Sequence, residues 1–154
     1  MGIFSLISNK KDLLGEADKQ LIVASIQASE KRTSGEIRVY VESRCKFVDP
    51  LDRAAQIFYG LKMDNTVARN AVLVYVAMKD KQLAVFGDEG IHNKTGQAFW
   101  NNAVTLMLQH FKGKQYGTGI AGVVTEIGEA LHTHFPYDSL TDKNELPDDI
   151  VFGR

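Results

Sequence analysis

The run Phe86-Gly87-Asp88-Glu89-Gly90 sets two adjacent carboxylates between two glycines, directly after the apolar stretch Leu83-Ala84-Val85-Phe86. Hard cations such as calcium and magnesium take carboxylate, carbonyl and water oxygens. Glycine lets a backbone bend and present its carbonyls, so the arrangement suits a cation. Asp and Gly are equally ordinary turn residues, and the local pattern alone does not separate the two readings. An EF-hand is excluded, because its D-x-[DN]-x-[DN]-G spacing is absent.

Other candidate chemistry is sparser. His92 lies four residues after Asp88, and His132-Thr133-His134 offers a pair, but no H-E-x-x-H motif or cysteine pair supports zinc. The stretch Gly113-Lys114-Gln115-Tyr116-Gly117-Thr118-Gly119 has its lysine after the first glycine, unlike a phosphate loop, and reads as a helix–helix turn. Cys45 and Arg53 are too far apart for a thiol-phosphatase loop. Phosphate hydrolysis would have to be metal-assisted, with Arg69 as the phosphoryl clamp; an ion-paired Arg69 is the plainer reading.

The elements must bring these residues together. Leu21, Ile22, Ser25, Ile26 and Ser29 recur at helical spacing within a helix expected over 15–32. Glu36 to Glu42 alternates as a strand with Ile37, Val39 and Val41 inward. Asp49-Pro50 opens a helix that runs to about Tyr59 and buries Leu51, Ala54, Ala55 and Phe58. Ala71 to Ala77 is continuously apolar, a strand covered on both faces, and a short turn leads into the strand Gln82–Phe86, forcing an antiparallel hairpin. Two helices follow, with stripes Phe99, Ala103, Met107, Phe111 and Ile120, Val123, Val124, Ile127, Leu131.

The order α-β-α-β-β-α-α predicts an α/β fold with a mixed sheet between helical layers. A right-handed crossover makes the first two strands parallel. Asp88 and Glu89 then return to the edge where the loop 63–70 enters the second strand and Glu36 opens the first. Four carboxylates, Glu36, Asp64, Asp88 and Glu89, are expected at one edge. The domain is expected to span 1–137, followed by an acidic tail over 138–154 with no helical or strand period.

Lysine and arginine number 18 against 19 aspartates and glutamates, which gives no electrostatic reason to expect nucleic acid or an anionic membrane as partner. One cysteine excludes an intramolecular disulfide. The opening Met-Gly-Ile-Phe-Ser-Leu lacks the basic lead of a secretory signal, and no run reaches the ~18 apolar residues of a membrane span. The expected location is cytoplasmic, without a membrane anchor.

The stretches TSGEIRVYV, TVARNAVLVYVA, KQLAVFGDEGI and YGTGIAGVVTEIGEAL, in this order and spacing over residues 13 to 135, resemble the TPM-domain family, and most of all its small stand-alone bacterial branch. The resemblance implies a three-layer α/β/α sandwich around a largely four-stranded sheet, of which three strands are placed above. It also implies crossing loops that bind divalent cations, often calcium, with magnesium as the alternative and more than one ion allowed. The matching positions are Asp64 through Asn70 and Gly87 through Gly90. Acid phosphatase activity is attributed to plant members, while others serve photosystem repair or accompany receptors. The resulting expectation is a calcium-binding domain with Asp88, Glu89, Asp64 and Glu36 as ligands, in a structural or regulatory role. A metal-assisted phosphomonoesterase and a metal-independent interaction module are the alternatives.

Overall fold

A computed structural model describes residues 13–46, 48–138 and 150–153. Helix α1 (Glu16–Glu30) precedes strand β1 (Glu36–Glu42), helix α2 (Pro50–Gly60) and the hairpin β2 (Ala71–Ala77) and β3 (Gln82–Gly87). Helices α3 (Glu89–Thr95), α4 (Gln97–Lys112) and α5 (Tyr116–His134) follow, and β4 (Val151–Phe152) ends the described chain. The sheet has four strands in the order β3-β2-β1-β4. β1 runs parallel to β2 and β4, and β3 is antiparallel to β2. Parallel β1 and β2 and the antiparallel hairpin are as the sequence predicts.

The sheet divides the core in two. Ile37, Val39 and Val41 of β1, Val72, Val74 and Val76 of β2, and Leu83 and Val85 of β3 pack against α1, α4 and α5. Leu73, Tyr75 and Ala84 face the other way, onto Ala54, Ile57 and Phe58 of α2. The result is the expected α/β/α sandwich, with α2 on one face and the other four described helices on the other, α3 through Ile91.

Three expectations are corrected. The segment read as tail contributes β4, whose Val151 and Phe152 pair with Tyr40 and Val41 while Ile150 is buried; residues 139–149 lie outside the described residues. Two residues carry no period, so no pattern announces them. Gly87-Asp88-Glu89-Gly90 is a strand end and helix start rather than a free turn, because α3 begins at Glu89. Leu51, expected inward, is 39% exposed: it lies beside β3, the outermost strand among the described residues.

Candidate functional site

β3 delivers Asp88 to the edge that β1 and β2 leave. Asp88 caps α3: its Oδ1 accepts from the Glu89 amide at 2.8 Å, removing one orphan donor of the helix start. Its own amide donates to Ala71 O at 2.9 Å, and Gly90 N donates to Arg69 O at 2.8 Å. Those two bonds stitch the start of α3 to the end of the loop before β2.

The two glycines are present for space. A Cβ on Gly90 would stand 2.1 Å from Ala68 O, and one on Gly87 would stand 2.4 Å from the Trp100 ring. Gly90 lets the two crossing backbones touch, and Gly87 leaves room for the Trp100 ring.

Arg69 organises the acids. Its Nε donates to Asp88 Oδ2 at 2.7 Å and its Nη2 to Asp88 Oδ1 at 2.9 Å, a two-pronged fork on a carboxylate that is 1% exposed. Nη1 reaches Glu89 Oε1 at 3.0 Å, and Glu89 itself is largely in solvent. The hydrogen bonds it donates to Asp88 raise the guanidinium's pKa above its ordinary value, and the charges of Asp88, Glu89 and Asp64 add to the rise. Asp64 therefore acts on the same group. The Arg69 backbone is left-handed, with φ 52°, an unfavourable conformation for a residue with a Cβ. In the same loop Thr66 is 8% exposed, and its Oγ1 has no hydrogen-bond partner among the described residues.

Glu36 sits at the same edge, two strands away. In register it lies beside Ala71, which in turn bonds Asp88, so Glu36 and Asp88 stand about 10 Å apart, two strand spacings. Glu36 is buried, and its charge acts on Arg38, whose pKa is lowered first of all by burial. Asp88 and Glu89 bind Arg69 directly and the charge of Asp64 acts on it, while the charge of Glu36 acts on another arginine, Arg38. Among the described residues no three of His, Cys, Asp and Glu stand together closely enough to hold one metal ion. The donor set of these acids is all oxygen, the kind a hard cation takes.

The remaining candidates have structural partners. Trp100 Nε1 donates to His92 Nδ1 at 2.9 Å, which fixes the His92 proton on Nε2. His132 Nδ1 lies 2.8 Å from Arg32 O. Cys45 is buried, with its Sγ 3.4 Å from Val48 O. A larger cavity of about 440 Å³ opens at the opposite end of the sheet beside Glu42, Arg44 and Arg53, but both arginines are already paired, with Asp80 and Glu42. No helix among the described residues is long and apolar enough to cross a membrane.

Known proteins share this architecture. The NMR structure of the BA42 protein from the psychrophilic bacterium Bizionia argentinensis superposes with a TM-score of 0.82 at 38% identity, covering 91% of this chain and 95% of that one. The N-terminal domain of a protein from P. gingivalis matches at TM-score 0.66 and 15% identity over 82% of this chain and 83% of that one. The N-terminal domain of cg2496 from Corynebacterium glutamicum matches at 0.58 and 15%, over 91% of this chain and 81% of that one. These last two speak for the fold alone. No curated protein matches the chain. The TPM domain profile matches residues 7–130, most of the chain, and with that match the chain belongs to the TPM-domain family.

Proposed function

We propose that the Arg69 edge is a divalent-cation site with a structural or regulatory role, in which the ion exchanges with a guanidinium. One observation carries the reading: three carboxylates, Asp64, Asp88 and Glu89, act on the single guanidinium of Arg69. The three carry more negative charge than one guanidinium offsets, and a divalent ion in its place would balance them better than the single positive charge of Arg69. Arg69 is partly exposed, so its side chain has room to swing out and leave Asp88, Glu89 and Asp64 as oxygen ligands. Glu36 would add its charge from the neighbouring strand. The ion would then join the loop before β2 to the start of α3 and make their order depend on its concentration.

The metal-assisted phosphatase reading is less favoured by this geometry, since Nε, Nη1 and Nη2 of Arg69 are all engaged by carboxylates rather than turned to a substrate. The cation proposal is tested by amide-resolved NMR during calcium and magnesium titrations. Shifts are expected at Asp64, Arg69 and Gly87 to Gly90, together with a higher melting temperature. Asp88→Asn removes the response, and Arg69→Gln tightens binding because no guanidinium has to leave. Unchanged spectra and melting curves at millimolar metal would overturn it.

A further inference from the structure

At the end of the sheet opposite Arg69, β1 and β2 finish in parallel at Glu42 and Ala77. In open α/β sheets, ligands bind outside the carboxyl ends of such strands. There the chain leaves β1 through the loop 43–49 and turns into α2. Arg44, Lys46 and Val48 of the loop line the cavity of about 440 Å³ together with Glu42 and with Arg53 and Gln56 of the helix. Arg53 and Gln56, three residues apart, share one side of α2. A cavity of this volume takes a small organic molecule.

The charged groups left free in it are all cationic. Glu42 is the one carboxylate of the lining, and both of its oxygens are engaged: Oε1 by Arg53 Nη2, Oε2 by Arg53 Nε and the Tyr75 hydroxyl. Pairing fixes the two arginines without exhausting their donors, of which each guanidinium has five. The fork on Glu42 leaves Arg53 Nη1 with only Gln56 Oε1, at 3.5 Å. Arg44 gives Nη1 to Asp80 Oδ1 at 3.0 Å, and its Nε and Nη2 bond no described residue. Nε and Nη2 form the edge of a guanidinium that matches a carboxylate with two parallel bonds. Lys46 is exposed and joins no described residue by a hydrogen bond or an ion pair.

The two guanidiniums are tied to different elements, Arg53 to the end of β1 and Arg44 to the turn between β2 and β3. They are therefore fixed at two places in one cavity, with the mobile ammonium of Lys46 beside them. We infer that the cavity binds a small organic acid carrying two carboxylates, one on Arg44 and one on Arg53, with Lys46 closing over them. A single phosphate group is the less suitable occupant, because it would have to draw both arginines to one point and away from Asp80 and Glu42. This binding needs no metal and stands apart from the cation exchange at Arg69.

The test is a succinate titration in metal-free, low-salt buffer, followed by amide shifts. Saturable shifts are expected at Ser43, Arg44, Lys46 and Gln56. Acetate, which reaches one arginine at a time, should bind about tenfold more weakly, and so should inorganic phosphate. Arg44→Gln and Lys46→Gln, at exposed positions, should each weaken succinate binding about tenfold, the loss of one charge-assisted contact. Both variants should keep the parent's spectrum away from the cavity, and Lys46→Arg should retain the affinity. No saturable binding at millimolar succinate, unchanged affinity in the Arg44→Gln, Lys46→Gln double variant, or shifts confined to the loop 63–70 would overturn the inference. Acetate or phosphate binding as tightly as succinate would also overturn it, giving the cavity to an anion with a single charged group.

Discussion

At each end of the sheet a buried carboxylate is held in an arginine fork, Asp88 by Arg69 and Glu42 by Arg53. The bonds are nearly the same: 2.7 and 2.9 Å at Asp88, 2.9 and 2.9 Å at Glu42. The surroundings differ. Glu42 also accepts from the Tyr75 hydroxyl, and Arg53 has neutral Gln56 as its other neighbour, so that end is balanced in charge. Arg69 has Glu89 and Asp64 beside it and a left-handed backbone beneath it. An arginine–carboxylate pair by itself is a fastening. Surplus charge around it, held on two crossing loops, is what would make it exchangeable under the proposed cation reading.

The largest test of that contrast removes the close approach of two backbones at the Asp88 end. Gly90→Ala drives a Cβ into the Ala68 carbonyl and should cost about 3 kcal/mol in urea unfolding. It should also abolish the metal-induced shifts, since the loops can no longer meet. Next comes the fork at Glu42. Arg53→Gln strands a carboxylate that is 3% exposed and should cost about 2 kcal/mol, less than a fully buried pair because Arg53 itself reaches solvent. Calcium should leave this loss untouched, whereas it should restore the stability lost in Arg69→Gln. Equal rescue of both variants would erase the distinction between the two ends.

The smallest effect is in alkali. Burial raises the Tyr75 hydroxyl above its ordinary pKa of 10.0, helped by its hydrogen bond to Glu42. The folded chain therefore keeps a proton that the unfolded chain loses. Stability from this group is complete below pH 10 and falls as the pH rises beyond it. Tyr75→Phe should flatten that alkaline decline and cost about 1 kcal/mol at neutral pH. A decline as steep in the variant as in the parent would assign it to other groups.

What the sequence disclosed follows from how many residues repeat a signal. β1 and β2 are legible because seven residues alternate in one and are continuously apolar in the other. β4 has two residues and α3 buries only Ile91, so neither builds a period. Leu51 has the residue type of a core position, and only the sheet order shows that among the described residues no strand lies beyond β3. At the site, residue types and topology placed four acids on one edge. That Arg69 stands among three of them depends on the loop's left-handed turn, which no spacing rule encodes.

β4 has a consequence for the order of events in folding. Val151 pairs with Tyr40, so β1 is completed on one side by residues made more than a hundred positions later. During synthesis the β1 edge must stay open until those residues emerge, while the β1–β2–β3 sheet and its helices can already form. Docking of β4 is then a late, zipper-like closure whose loss shows in the rate of opening. Phe152→Ala should speed unfolding in stopped-flow measurements and leave the refolding rate unchanged; slowed refolding would place the strand in the nucleus instead.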